Sequence, residues 1–263
     1  MAAPSQVLAP RSTVRFRPPR FGLGGSHLGE PADETAVATV DAAYQAGIRF
    51  FDTSPAYGDS ERRLGTALQR RPRGEFLVST RVVGNDPEES VRASTERLGL
   101  AVDLVFAHDE AAYPVLDQLR RDGVIKAVGA ASDDWQELDE LVRDVELDCV
   151  LLKGYSLLDQ SAKPLLDRCV SRGVSAIVAG ILSPHVLQAD TVQARRISAV
   201  CERYGVSLPQ AALAFPSRHL AVTSVLITAA SPAEIRADAR LVRQPVPERL
   251  WKDPELGRLL SSE

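Results

Sequence analysis

The order of apolar and amphipathic segments predicts a (β/α)8 TIM barrel, an α/β fold of eight parallel strands alternating with helices. Eight short apolar runs recur along the sequence, and longer amphipathic stretches lie between them. A length of 263 residues is compatible with one such barrel, and no linker or low-complexity segment divides the chain. Residues 1–263 are therefore predicted to form a single domain.

Each predicted strand is a short run of apolar residues. In chain order the runs are FGLGG from Phe21, IRFFD from Ile48, EFLVST from Glu75, DLVFA from Asp103, IKAVGA from Ile125, DCVLL from Asp148, VSAIVA from Val174 and TSVLI from Thr223. Helices are predicted between them, among them DETAVATVDAAYQAG, DPEESVRASTERLG and SPAEIRADARLV. Asp or Ser stands near the start of several helices and glycine ends two of them, as expected of helix caps. The stretch QPVPERLWKDPELGRLL is predicted to be a C-terminal extension with a short helix.

Composition and charge argue against several classes of function. Hydrophobic residues make up 44% of the chain and charged residues 25%, and the net charge of −4 argues against a nucleic-acid partner. No apolar run approaches membrane-spanning length, and the N-terminal stretch lacks the apolar segment of a signal peptide. Cys149, Cys169 and Cys201 have no metal-ligand spacing and lie in apolar settings. We therefore expect a cytoplasmic protein with buried thiols, no metal site and no membrane or nucleic-acid partner.

Polar side chains follow three neighbouring strands at the end where a barrel carries its chemistry. Asp52 and Tyr57 follow the second strand, Arg81 follows the third and His108 the fourth. A buried Asp52 needs a partner, which Arg81 on the next strand could provide bidentately. A cation beside Tyr57 would lower the pKa of its phenol, so that Tyr57 could deliver a proton near neutral pH while His108 oriented a carbonyl. The alternative is a structural salt bridge at the barrel rim.

Further polar residues follow the later strands: Ser132, Asp133, Lys153, Tyr155, Ser183, His185 and Thr228. Lys153 could act as an amine base or form a Schiff base with a carbonyl, although a solvated position at the rim is the simpler expectation for a lysine. His27 and His185 have no obvious partner and are expected at the surface. Asp109 is expected to cap the helix that follows His108.

The stretch GIRFFDTSPAYGDSERRLG, from Gly47 to Gly65, resembles the first signature of the aldo-keto reductase superfamily. AYPVLDQLRRDGVIKAVG, YSLLDQ and ISAVCERYGVSLPQAALAFP are similar to the sugar (fucose/galactose-type) and pyridoxal dehydrogenase branch. The resemblance covers nearly the whole chain and implies a (β/α)8 barrel that transfers hydride between NADP(H) or NAD(H) and a carbonyl or alcohol. By position it implies Tyr57 as general acid, Asp52 as its supporting carboxylate and His108 as the imidazole that orients the substrate.

Several positions depart from the pattern of that family. Its catalytic lysine falls on Arg81, a bulkier, planar cation. Ser132 is retained, but Asp133 stands where an asparagine usually binds the nicotinamide carboxamide, and a carboxylate cannot donate to an amide oxygen. Tyr155 matches a tyrosine that stacks on nicotinamide, while Leu152 replaces a glutamine found in many relatives.

The expected cofactor-phosphate site is also altered. Thr228 and Ala229 replace a glycine-containing turn, and Ser231 opens the helix whose N-terminus would receive a phosphate. Arg236 is a candidate for binding a 2′-phosphate, or is simply solvated. The loops after Arg81, His108 and the seventh strand are short, which predicts an open mouth that excludes water poorly.

These observations support three hypotheses. We favour an NADP(H)-linked oxidoreductase, or an NAD(H)-linked one, that interconverts a small carbonyl and an alcohol, with Tyr57 as general acid or base supported by Asp52, Arg81 and His108. The second hypothesis is a non-redox lyase, dehydratase or epimerase in which the nicotinamide site has decayed and no cofactor binds. The third is a catalytically silent binding protein, against which the retained Asp52, Tyr57 and His108 argue.

Overall fold

The computed structural model describes residues 14–182 and 191–261 and contains a closed barrel of eight parallel strands. Neighbouring strands pair in chain order, and the last pairs with the first. The strands are β1 (Phe21–Gly24), β2 (Phe50–Asp52), β3 (Leu77–Arg81), β4 (Leu104–Ala107), β5 (Ala127–Ser132), β6 (Cys149–Lys153), β7 (Ser175–Ala179) and β8 (Val222–Thr228). Each lies within, or within two residues of, its predicted run, so the (β/α)8 fold is confirmed.

Helices surround the barrel and return the chain from the top of one strand to the bottom of the next. In the described ranges they are α1 (Asp33–Gln45), α2 (Ser60–Leu68), α3 (Pro87–Leu98), α4 (Tyr113–Arg121), α5 (Trp135–Asp144), α6 (Lys163–Arg172), α7 (Val192–Arg203), α8 (Leu208–Ala214), α9 (Pro232–Leu241), α10 (Glu248–Trp251) and α11 (Pro254–Ser261). The C-terminal extension thus carries two short helices, where the sequence predicted one. No helix in the described ranges is long and apolar enough to span a membrane.

Side chains fill the inside of the barrel, so it is a packed core without a channel. The rings of Phe50 and Phe106 lie there, and glycine faces each of them. A Cβ at Gly22 would lie 2.6 Å from the Phe50 ring, and one at Gly129 would lie 2.7 Å from the Phe106 ring. At the bottom, Phe16 of the N-terminal segment packs against this interior cluster. The top of the barrel, where the loops after the strands converge, is therefore the candidate place for chemistry.

Strand alternation determines which polar side chains point over the barrel axis at the top. Side chains two residues apart share a face of a strand, so Asp52 faces inward like Phe50, and Arg81 faces inward like Leu77. The register pairs Asp52 with Ser79 on the neighbouring strand, two residues before Arg81. Asp52, Ser79 and Arg81 are thereby brought to one point at the mouth.

Candidate active site

The carboxylate of Asp52 lies at the mouth and is bound from two sides. Ser79 Oγ donates to Asp52 Oδ1 at 2.7 Å, and Arg81 Nη2 donates to Oδ2 at 3.1 Å. The second guanidinium nitrogen, Arg81 Nη1, donates to the carbonyl oxygen of Thr53 at 2.7 Å. Asp52 is 3% exposed and the Arg81 side chain 20% exposed. The predicted pair exists, but Arg81 makes a single hydrogen bond to the carboxylate, and its second terminal nitrogen binds the backbone.

Burial dominates the electrostatics of Asp52. It raises the pKa of the Asp52 carboxyl above its usual range, while the charge of Arg81 and the hydrogen bond from Ser79 act in the opposite direction. The guanidinium of Arg81 stays protonated, because the carboxylate and its other anionic neighbours outweigh the cost of its partial burial. The pair is therefore a buried acid held in place by a permanent cation.

Tyr57 lies above this pair in the β2–α2 loop. The guanidinium carbon of Arg81 is 5.2 Å from the centre of the Tyr57 ring, within cation–π range. This loop packs directly against the β1–α1 loop. A Cβ at Gly29 would lie only 2.1 Å from the carbonyl oxygen of Tyr57. Gly58 takes a positive φ of 55° immediately after the tyrosine. Two glycines therefore permit the placement of this phenol.

The pKa of Tyr57 lies above its ordinary value, contrary to the expectation from the sequence. Burial raises it most, and Asp52 and Asp133 raise it further. Arg81 and Lys153 lower it, as a nearby cation should, but they do not overcome the burial of the ring. At neutral pH the phenol is protonated and can donate a proton.

His108 stands at the rim. Its side chain is 69% exposed, and its Nδ1 lies 3.9 Å from Glu137 Oε2. In the described part of the chain no hydrogen bond joins His108 to Tyr57 or Arg81. Beside it is a small cavity of about 150 Å³ between the loops after β3 and β4, lined in part by Val82, Asn85 and Ala111.

Two residues at the end of β5, Ser132 and Asp133, were expected at the nicotinamide carboxamide, and both have partners within the protein. Ser132 Oγ donates to Glu137 Oε2 at 2.7 Å. Lys153 Nζ donates to Asp133 Oδ2 at 2.7 Å, and the lysine is 54% exposed. Lys153 thus sits at the rim as expected, with Asp133 as a partner that the sequence did not indicate. The ion pair presents both a donor and an acceptor at the mouth.

Tyr155 is buried and does not present a free ring face. It is 4% exposed, its ring centre lies 5.5 Å from that of Phe215, and His219 packs edge-on at 6.1 Å. Stacking on a nicotinamide, as the resemblance implies, would require this cluster to open. The sequence could not reveal the burial, because Phe215 and His219 come from the distant segment after α8.

The end of β8 and the start of α9 form the expected cofactor-phosphate site. Thr228 ends β8 half-buried, and Ser231 caps α9 as predicted, its Oγ accepting from the backbone N–H of Glu234 at 3.3 Å. Glu234 Oε2 accepts from the N–H of Ala230 at 2.8 Å, so a carboxylate already binds a donor at this helix start. Arg236 is exposed, one turn into the helix.

The remaining predicted residues have simple explanations. Asp109 is a cap, its Oδ1 accepting from the N–H of Ala111 at 2.9 Å, and His27 is exposed after β1. Ser183 and His185 lie outside the described residues. All three cysteines are free and buried, and burial raises the pKa of each thiol. Within the described ranges no three His, Cys, Asp or Glu side chains are grouped to hold a metal ion.

Sequence reasoning missed two residues of the site, Ser79 and Gly29. Ser79 could have been found, because it lies two residues before Arg81 on the same strand and so faces the same side. Gly29 gave no signal, since its role depends on a backbone contact between two loops.

Comparisons with known proteins agree with this architecture. Residues 20–253 match the model of the aldo/keto reductase family. The chain is 30% identical to a D-threo-aldose 1-dehydrogenase from Pseudomonas, over 92% of this chain and 94% of that protein. It is 28% identical to a pyridoxal 4-dehydrogenase from Microbacterium luteolum, over 88% and 91%, and 28% identical to an NADH-specific methylglyoxal reductase from Escherichia coli, over 85% and 91%.

A solved aldo-keto reductase from Bacillus halodurans, in its holo form, superimposes with a TM-score of 0.81 over 94% of both chains at 20% identity, a likeness of fold. The sugar and pyridoxal dehydrogenases among the relatives confirm the branch that the sequence resembles. The chain belongs to the aldo/keto reductase family and is an aldo-keto reductase-like enzyme.

Proposed function

We propose that this enzyme interconverts a small polar carbonyl compound and its alcohol with a nicotinamide cofactor, and that Tyr57 is the general acid and base. The observation that carries the proposal is the protonated Tyr57 phenol above the buried pair of Asp52 and Arg81 at the mouth of the barrel. Family membership and relatives named as dehydrogenases and reductases support the redox class.

In the direction of reduction, Tyr57 donates its proton to the carbonyl oxygen as the oxygen gains negative charge. Arg81 stabilises the phenolate that forms, because its permanent charge lies 5.2 Å from the ring. Asp52 and the carbonyl of Thr53 hold that guanidinium in one orientation. In the direction of oxidation the phenol must first lose its proton, so alkaline pH should favour that direction. The exposed imidazole of His108 is proposed to contact the substrate from the rim.

A bound nicotinamide would supply or accept the hydride. Ser132 and the exposed pair of Lys153 and Asp133 offer donors and an acceptor that suit a carboxamide at the mouth. At the start of α9, Ser231 and the helix N-terminus lie where the resemblance to the family places the adenosine end of the cofactor, with Arg236 one turn away.

Glu234 bears on the choice between the two nicotinamide cofactors. Its carboxylate lies at the start of α9 and would repel a 2′-phosphate, and one relative is named as NADH-specific. The fit therefore favours NAD(H) over the NADP(H) expected from the sequence.

The substrate class follows from the open, polar mouth and from the relatives. These are named for an aldose, pyridoxal and methylglyoxal, which are all small polar carbonyl compounds or their hemiacetals. We therefore propose small hydroxylated or dicarbonyl aldehydes as the substrate class.

Titration with NADH and NADPH, followed by cofactor fluorescence, tests the redox assignment. We expect saturable binding of NADH, and reduction of a panel of small aldehydes that Tyr57→Phe abolishes with little change in cofactor affinity. Tyr204→Phe is the matched control, because its hydroxyl binds Asp253 in the C-terminal extension. Absence of binding at millimolar concentrations of both cofactors would contradict the proposal and favour a non-redox lyase, dehydratase or epimerase. Full activity of Tyr57→Phe would remove Tyr57 as the acid.

A further inference from the structure

A second cavity lies at the end of the barrel opposite the candidate active site. It has a volume of about 440 Å³ and is enclosed by the start of β1, by α8, by the C-terminal end of α9 and by α10. Because β1 begins here, the cavity is separated from Tyr57 by the packed interior of the barrel. The reaction proposed for the candidate active site does not use this cavity.

Three arginines line this cavity, and they come from three different segments. Arg218 pairs with Glu248 at 2.7 Å, and Arg243 donates to the carbonyl oxygen of Ala46. Arg20 stacks 5.2 Å from the centre of the Phe21 ring, and no carboxylate of the described residues lies within ion-pair distance of it. Glu248 is the one acidic side chain in the lining. The arginines therefore outnumber the acids by three to one.

Helix ends reduce this positive charge without cancelling it. The C-terminal ends of α8 and α9 both border the cavity, and each contributes at most about half a negative charge. Together with Glu248 they offset about two of the three cations, which leaves about one positive charge. The cavity therefore suits an anion.

A polar atom without a partner also lines the cavity. Ser217 Oγ is buried and makes no hydrogen bond to the described protein. A buried hydroxyl without a partner is unfavourable, because it loses its hydrogen bonds to water. A rotation of the Ser217 side chain toward the cavity would let its hydroxyl donate to an acceptor oxygen of a ligand.

We propose that this cavity binds the phosphate group of a small phosphorylated molecule. A phosphate ester offers three terminal oxygens to the arginines that line the cavity, whereas a carboxylate offers two. The cavity is larger than a phosphate ion, and Leu213 and Trp251 line the remaining space, where a compact organic group fits. This proposal does not depend on the redox assignment at Tyr57.

Binding is tested on the full chain carrying Trp135→Phe, so that Trp251 in the cavity wall is the remaining tryptophan. Its fluorescence is followed during titration with inorganic phosphate and with glycerol 2-phosphate at constant ionic strength. We expect saturable quenching, with tighter binding of the ester. Arg20→Gln and Ser217→Ala should each weaken it, the former about tenfold for the loss of one charge-assisted hydrogen bond.

Arg172→Gln is the matched control, because it removes the same charge from an exposed site at the end of α6. It should bind phosphate like the parent, and equal melting temperatures without phosphate will show that all variants are folded. Equal affinity of Arg20→Gln and Arg172→Gln would overturn the site. Binding of the ester no tighter than inorganic phosphate would overturn the assignment to a phosphorylated small molecule.

Discussion

Replacing Arg81 with methionine should destabilise the protein in a way that depends on pH. The change removes the cation from a carboxyl that is 3% exposed and leaves Ser79 as the remaining side-chain donor to Asp52. Breaking a buried ion pair on one side costs about 3 to 5 kcal/mol. The Arg81 side chain is 20% exposed, so we expect the free energy of unfolding at pH 8 to fall by an amount near the lower value, about 3 kcal/mol.

The sign of the pH dependence follows from the pKa of Asp52. Burial raises this pKa in the folded state, and Arg81 opposes the rise, so removing Arg81 raises it further. A carboxyl with a higher pKa in the folded than in the unfolded state loses stability as the pH rises between the two values. The deficit of the variant should therefore shrink as the pH falls, because protonation of Asp52 removes the charge that Arg81 compensates. Once Asp52 is protonated, only the lost hydrogen bonds remain, about 1 kcal/mol.

Urea unfolding of the parent and Arg81→Met at pH 4.5, 6 and 8 measures this difference. The control is the same substitution in the Asp52→Asn background, because neither Asp52→Asn nor Asp52→Asn, Arg81→Met contains the titrating group, and the difference in unfolding free energy between these two should be independent of pH. If Arg81→Met lost the same unfolding free energy at all three pH values, this would refute the idea that Arg81 stabilises the charge of the buried Asp52 carboxylate.

Two further comparisons test the site. A Cβ at Gly29 would lie 2.1 Å from the carbonyl oxygen of Tyr57, and one at Gly65 would lie 1.9 Å from that of Leu98. In urea unfolding, both alanine variants should lose about 1 to 3 kcal/mol of unfolding free energy. Only Gly29→Ala should also lower kcat. Equal kcat values for the two variants would contradict a role of Gly29 in positioning Tyr57. In pH–rate profiles, Lys153→Met should raise the pH at which Tyr57 ionises and Asp133→Asn should lower it, whereas shifts in one direction would refute this electrostatic account.

The sequence predicted the positions of the strands because each is a short apolar run between helical segments. It also predicted the contact between Asp52 and Arg81, because strand alternation and neighbouring strand ends suffice to place them together. The pKa of Tyr57 was predicted in the wrong direction, since the depth of burial is set by loop packing that a sequence does not display. The burial of Tyr155 was missed for the same reason, because the residue that covers it comes from a remote segment.

The substitution of arginine for lysine limits how a proton can reach Tyr57. An arginine does not deprotonate in a protein, so Arg81 can stabilise a phenolate but cannot pass a proton to or from it. Both of its terminal nitrogens are also bound, one to Asp52 and one to the carbonyl of Thr53. Under the proposed function, Tyr57 must therefore exchange its proton with water or substrate at the mouth. The Arg81 side chain is 20% exposed, so water reaches this point of the mouth and can take part in the exchange.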